Sequence, residues 1–280
     1  MTNSPSFLVC GRHRLCLDRP LVMGVLNVTP DSFSDGGRYL EPAAALDHAR
    51  QMVDAGADII DVGGESTRPG AATTPEAVEV ERVVPLIGRI AALGVPVSAD
   101  TRKSAVMRAA IAAGASMIND VSALRGAGAL EAIAGAPAPV AVCLMHMRGE
   151  PETMQQNVAY ADVLAEVRDF LAARAAACQA AGIGRERIVV DPGFGFGKTV
   201  EHNLDLLRRL PELVLLGYPL LVGLSRKSTI GALTGGGAAE RLAGSVAAAL
   251  AAVARGAKII RVHDVRETVD ALKVWNAVDA

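Results

Sequence analysis

Three short stretches of the chain share one order of apolar and polar positions. Ala55-Gly56-Ala57-Asp58-Ile59-Ile60, Ala113-Gly114-Ala115-Ser116-Met117-Ile118 and Arg255-Gly256-Ala257-Lys258-Ile259-Ile260 each run glycine, alanine, polar residue, apolar pair. A glycine after a helical stretch can take the left-handed conformation that ends the helix. A short unbroken apolar run then reads as a strand buried on both faces. Repeated helix-to-strand units of this kind point to a parallel sheet.

Working outward from these anchors predicts eight strands, near 21–27, 58–62, 95–99, 116–119, 139–145, 187–191, 220–224 and 258–262. Helical patterns fill the gaps. Between 160 and 181, Leu164, Val167, Leu171 and Cys178 fall on one face. Pro42 and Pro75 sit where a first helical turn begins. Phe7 to Leu17, with Gly11 in its middle, reads as a β-hairpin closing one end. The expected fold is therefore an α/β protein, a (β/α)8 barrel with an N-terminal hairpin, as one domain over 1–280. Three stretches, 28–38, 63–74 and 146–158, match no element. All follow strands, so they belong to the C-terminal face, where barrel enzymes hold their chemistry.

Composition agrees with this architecture. The 280 residues are 51% hydrophobic and only 3% aromatic, so the core must be packed from aliphatic side chains. The net charge is −2 with Lys and Arg scattered, which excludes a basic nucleic-acid surface. Cys10, Cys16, Cys143 and Cys178 are too few and too irregular for a disulfide framework or a CxxC metal site. Residues 1–8 lack a signal-peptide pattern, and the weakly polar run Leu242 to Ala254 is shorter than the roughly 18 residues a membrane span needs. A cytoplasmic location is expected, with neither membrane nor nucleic acid as partner.

The predicted strand ends carry the chemistry. Asn27 ends the first strand, and Asp61 and Glu65 follow the second. Then come Asp100, Asn119 with Asp120, His146, Asp191, Ser225-Arg226-Lys227-Ser228, and finally Arg261 with His263. Charged groups converging on a barrel mouth cost desolvation unless a ligand uses them. The acids and amides suit a flat heterocycle rich in N–H and C=O groups. The cations suit a phosphate-type anion. Asp61 and Glu65 read more naturally as turn caps than Asp100 or Asp191 do. His146 reads as a pocket-wall residue, and His13, His48 and His202 as solvated or structural. Gly197-Lys198-Thr199 is no P-loop, because the glycine required five positions earlier is Pro192. Gly193, Gly195 and Gly197 fail the dinucleotide spacing as well.

At these residues the chain resembles the dihydropteroate synthase family. The carriers are Asn27-Val28-Thr29-Pro30-Asp31-Ser32-Phe33-Ser34-Asp35-Gly36, Asp61-Val62-Gly63-Gly64-Glu65-Ser66-Thr67-Arg68-Pro69-Gly70 and Asp191-Pro192-Gly193-Phe194-Gly195-Phe196-Gly197-Lys198, followed by Ser225-Arg226-Lys227-Ser228 and Arg261-Val262-His263-Asp264. The resemblance implies a pterin-binding barrel that joins 6-hydroxymethyl-7,8-dihydropterin diphosphate to p-aminobenzoate, with Mg²⁺ required. It implies that Asp100, Asn119, Asp191 and Lys227 hold the pterin, with Phe196 beside them. Asn27 would ligate Mg²⁺, and Arg261 and His263 would meet the phosphates. Thr67, Arg68, Pro69 and Ser228 would surround p-aminobenzoate beneath the loop carrying Phe33 and Asp35. Asp35, Arg68, Lys227 and Arg261 are the expected catalytic residues. Sulfonamides are expected to compete with p-aminobenzoate, and two copies of the chain to form a homodimer. Two other functions compete: a methyltetrahydrofolate–corrinoid methyltransferase, disfavoured by the 27–36 loop and Thr67-Arg68-Pro69, and a non-catalytic pterin binder, disfavoured by the intact cationic set.

Overall fold

In the computed structural model, which describes residues 5–29, 42–66, 73–156 and 158–279, two strands come first: β1 (Phe7–Cys10) and β2 (His13–Cys16). Strands and helices then alternate. β3 (Leu21–Asn27) leads to α1 (Pro42–Asp54), β4 (Ile59–Gly63) to α2 (Glu76–Ala91), β5 (Val97–Asp100) to α3 (Ser104–Ala112), and β6 (Met117–Asp120) to α4 (Ala129–Ala134). β7 (Ala141–Met145) leads to α5 (Val163–Ala180), and β8 (Ile188–Asp191) to α6 (Val200–Arg208) and α7 (Leu210–Val214). β9 (Leu221–Val222) is followed by α8 (Ser228–Thr234) and α9 (Leu242–Val253), and β10 (Ile259–Val262) by α10 (Val265–Asp279).

β3 to β10 form one parallel sheet in the order β8-β7-β6-β5-β4-β3-β10-β9. A parallel bridge between Val190 and Leu220 joins the two outer members and closes the cylinder. All eight predicted strands are present, displaced by at most two residues at their starts. Pro42 opens α1 as expected, whereas Pro75 stands one position earlier, as the N-cap of α2. Leu164, Val167, Leu171 and Cys178 are all buried along α5.

Period-two alternation divides the core. Val22, Ile60, Ile118, Val142, Val190 and Ile260 face outward and pack with helix residues such as Ile87, Met107 and Leu171. Their neighbours Leu21, Met23, Ile59, Met117, Ala141, Val189, Leu221 and Ile259 face the inside of the cylinder and meet Leu8 and Cys10 of the hairpin. The hairpin is thus a plug at the N-terminal end. Its turn docks through Gly11 N–H to the Pro139 carbonyl at 3.0 Å, and Gly11 takes φ +59° there. With the lower barrel filled by apolar side chains, polar residues further along the same inward rows can only collect at the other end.

Leu8 is fully buried in this plug. Leu8→Ala is expected to lower unfolding stability by roughly 2–5 kcal/mol, measured by urea denaturation. A cost under about 1 kcal/mol would show that the hairpin does not seal the barrel.

Candidate active site at the C-terminal mouth

The same alternation that faces Met23 and Ile59 inward selects the residues of the mouth. Register pairs Asp61 with Val25 and Ser98, Asp100 with Gly63 and Asn119, and Asp191 with Met145. Two steps above Ile259 on β10 stands Arg261, beside Met23. Its guanidinium donates through Nε to Asp61 Oδ2 and through Nη2 to Asp100 Oδ2, both at 2.7 Å. Asn119 Nδ2 donates to the same Asp61 oxygen at 3.1 Å. Asp61 is therefore no turn cap. Its side chain is 0% exposed, and it fixes Arg261 from inside the cylinder. Asp61 Oδ1 has no partner among the described residues.

Asp120 departs from the expectation in another way. One residue out of phase with Asn119, it lies buried on the outer side and accepts from the N–H groups of Ser122 and Leu124 at 2.7 and 2.8 Å. It is a turn former. Glu65 behaves as the capping reading expects: it accepts from Thr74 N–H at 2.8 Å and pairs with Arg102 at 3.2 Å and with Lys103.

Two loops complete the described mouth. After β8, Asp191 Oδ1 accepts from Gly193 N–H at 2.7 Å. Gly193 takes φ +69°, and a β-carbon there would stand 1.9 Å from the His146 carbonyl, so no other residue can serve. After β9, Arg226 is held at φ +59° by Ser245 Oγ, which accepts its N–H at 3.0 Å, and by a fork to Asp264 at 3.0 and 2.5 Å. A left-handed non-glycine residue is strained, and these contacts hold it in place. The next residue, Lys227, donates to the Phe194 carbonyl and lies 4.6 Å from the centre of the Phe196 ring. Ser228 opens α8 and is exposed. His263 Nδ1 lies 3.1 Å from Ser225 Oγ.

Burial sets the charges. Desolvation, offset by Arg261 and reinforced by Asp61, raises the Asp100 carboxyl to about 7. Asp191 is raised too, by desolvation, against the pull of Lys227 and the Gly193 N–H. Desolvation lowers Lys227 to about 8, with Asp191 opposing and Arg261 assisting. His263 falls to about 4, through burial and then Arg261, so its ring is neutral in the unliganded protein. Asp191 and Arg261 each stand two residues beyond an inward-facing side chain, Val189 and Ile259, so both end their strands on the inner face of the same cylinder. Asn27 Oδ1 stands over Gly63, where a β-carbon would come within 3.2 Å of it and 3.5 Å of the Asp100 side chain. That is a gap floored by glycine between two oxygen-bearing side chains.

Asn27, Asp100, Asn119, Asp191, Phe196, Lys227, Ser228, Arg261 and His263 all lie at this end of the barrel. Phe33, Asp35, Thr67, Arg68 and Pro69 lie outside the described residues. Sequence reading undervalued Asp61 and overlooked Lys198, which is only 3% exposed behind the 193–197 loop. The parity of β4, which gives Ile59 and Asp61 one face, was the available signal for the first. The second had none beyond its place after three spaced glycines.

A family model described as pterin binding enzyme matches residues 23–263. The dihydropteroate synthase of Neisseria meningitidis serogroup B is 56% identical over 96% of each chain. Among solved structures, Xanthomonas albilineans dihydropteroate synthase with 4-aminobenzoic acid superposes with TM-score 0.92 at 53% identity, over 99% of each chain. The enzyme from the same organism in complex with 7,8-dihydropteroate gives TM-score 0.89 at 51% identity, over 98% of this chain and 99% of that one.

Removing Asp61 leaves Arg261 to Asp100 alone and strips a buried acceptor from both Arg261 Nε and Asn119 Nδ2. Asp61→Ala is expected to cost roughly 3–5 kcal/mol in urea unfolding. A loss below about 1 kcal/mol would mean that Arg261 finds its place without Asp61.

Proposed function

The chain belongs to the dihydropteroate synthase family of pterin-binding enzymes, and on that premise we propose that its strand-end acids hold a pterin while its cations meet the diphosphate. The reaction joins 6-hydroxymethyl-7,8-dihydropterin diphosphate to p-aminobenzoate, giving 7,8-dihydropteroate and pyrophosphate. The observation that carries the division of roles is the convergence of Asp61, Asp100, Asn119 and Asp191 with Arg261 and Lys227 on one mouth.

Asp191 accepts from the exocyclic amine and adjacent ring N–H of the pterin, and a ring without those donors would leave a buried carboxylate unsatisfied. Asp100 and Asn119 meet the ring from the neighbouring strands. Arg261 spends two N–H groups on Asp61 and Asp100, which leaves donors for the diphosphate. His263 adds a neutral hydrogen bond, and Lys227 contributes charge beside the ring.

Mg²⁺ suits the oxygen gap at Asn27. Among the described residues no group of three His, Cys, Asp or Glu side chains is arranged to hold a metal, so a cation here would complete its shell from substrate oxygens and water. When bound, it supplies charge neutralisation on the diphosphate. The C–O bond breaks with its electron pair leaving on pyrophosphate, and the pterin ring delocalises the resulting methylene cation. The lone pair of the p-aminobenzoate nitrogen then forms the C–N bond, and that nitrogen loses a proton to water. An arylamine is neutral at pH 7, so positioning matters more than a general base. Ser228 is assigned to p-aminobenzoate, as are Phe33, Asp35, Thr67, Arg68 and Pro69, which lie outside the described residues.

No helix among the described residues is long and apolar enough to cross a membrane. A cytoplasmic setting suits four unpaired cysteines. Pairing of two copies is supported by Leu233, Val274 and Val278, exposed on α8 and α10 to either side of α9.

Purified protein supplied with both substrates and Mg²⁺ is expected to release pyrophosphate. Asp191→Asn should lower kcat/KM for the pterin roughly 10–100-fold, the equivalent of about 1.5–3 kcal/mol from a charged hydrogen bond. Pterin binding without any pyrophosphate release would leave a non-catalytic binder.

The pH profile provides an independent check. Lys227 carries its proton below about 8 and loses it above, so kcat/KM should fall with rising pH through that value. An anion bound nearby favours the protonated form, so the corresponding limb of kcat should lie higher. A kcat/KM profile flat from pH 6 to 10 would remove Lys227 from the ionic site.

A further inference from the structure

The segment after β8 reads Asp191-Pro192-Gly193-Phe194-Gly195-Phe196-Gly197-Lys198. Its glycines at 193, 195 and 197 all have positive φ, so the loop is neither helix nor strand, and the one backbone bond within it runs from Phe196 N–H to the Gly193 carbonyl at 3.1 Å. Yet each of the five carbonyls from 193 to 197 accepts from a side chain. Lys227 donates to Phe194, Gln155 to Gly195 at 2.9 Å and Tyr160 to Gly197 at 2.8 Å. The remaining two, Gly193 at 2.9 Å and Phe196 at 3.1 Å, share one donor, the Lys198 ammonium.

That ammonium also lies 3.3 Å from the His146 carbonyl and 3.0 Å from His146 Nδ1. Four acceptors surround the Lys198 nitrogen, which burial lowers to about 7, and His146 Nδ1 accepts from it whenever that nitrogen is an ammonium. The His146 ring is held edge-on against Phe170, with centroids 5.0 Å apart. Burial and the neighbouring Lys198 push its pKa to about 3, so it remains a neutral acceptor.

We propose that Lys198 is a positioning residue for the pterin site, fixing the 193–197 loop to the His146 segment. From that loop, Gly193 N–H orients the Asp191 carboxylate, and the Phe194 carbonyl and Phe196 ring orient the Lys227 ammonium. Lys198 itself is enclosed by backbone and touches no reacting group. Its loss leaves the Phe196 and His146 carbonyls and a histidine nitrogen without their buried donor, while the Gly193 carbonyl keeps only the Phe196 N–H at 3.1 Å. The two groups displaced both belong to the pterin half of the site, so the effect should divide between the substrates. This inference rests on the assignment of Asp191 and Lys227 to the pterin.

Lys198→Met and Lys198→Gln test it in the full chain, the second variant retaining an amide that can still donate to two carbonyls. Calorimetric titration with 6-hydroxymethyl-7,8-dihydropterin diphosphate is expected to show more than tenfold weaker binding for Lys198→Met and an intermediate loss for Lys198→Gln. The KM for p-aminobenzoate should stay within twofold of the parent. Equal weakening for both substrates, unchanged pterin binding, or failure of both variants to fold by circular dichroism would overturn the positioning role. Failure of the unsubstituted protein to bind the pterin would instead refute the assignment on which the inference rests.

Discussion

The guanidinium of Arg261, held inside the barrel between Asp61 and Asp100, is the constraint around which the mouth is arranged. An ion triad in that position is a poor source of stability, because desolvating three charges offsets most of their attraction. Apolar side chains of similar volume would pack the upper barrel at least as well, as they do the lower. The triad is better understood as a device for specificity. It directs Arg261 by two bonds from neighbouring strands and leaves the rest of the fork for a ligand. Asn119 bonds the same Asp61 oxygen and so belongs to the network.

Around this centre acids and bases are set together in a way that bears on the ligand. Asp61, Asp100 and Asp191 share the mouth with Arg261 and Lys227, while Lys198 lies behind the 193–197 loop. Each lies in surroundings that penalise an isolated charge. Such a site favours a neutral ring presenting donors and acceptors, because a charged ring would have to be desolvated to enter it. In the proposed division of roles, the anionic part of the substrate takes the unspent N–H groups on the side of Arg261 and His263. A depressed His263 fits this arrangement, since it adds a donor without adding another buried charge.

The eight strands and the hairpin were legible in the chain because apolar runs, glycine punctuation and one turn follow from local chemistry. The mouth was legible in outline, since each strand was followed by a polar residue. What remained hidden was direction. Asp120 and Asn119 are adjacent and equally polar, yet only Asn119 faces inward, a matter of register settled by the neighbouring strands. Asp61 was weighed as a cap because its partner, Arg261, is 200 positions away along the chain. Lys198 was hidden for a related reason. A lysine after a glycine-rich turn is ordinarily solvated, and only the folded loop reveals carbonyls converging on its nitrogen.

The placement of stability and chemistry at opposite ends of one cylinder follows from the same alternation. Inward positions near the strand starts are apolar and are capped by Leu8 and Cys10, so the lower barrel can support the fold without polar groups. Inward positions two to four residues later carry the charges, supported by loops whose own backbone groups are met by side chains from elsewhere. The loop after β8 illustrates why this works. A conventional helix or strand there would satisfy its carbonyls internally and leave nothing for Lys227 to bond. The glycine-rich path keeps a single internal bond, from Phe196 N–H to the Gly193 carbonyl, and leaves the Phe194 carbonyl to orient Lys227 while Lys198 holds its neighbours. Strain in such loops is tolerable only because the rigid lower barrel fixes where each of them begins and ends.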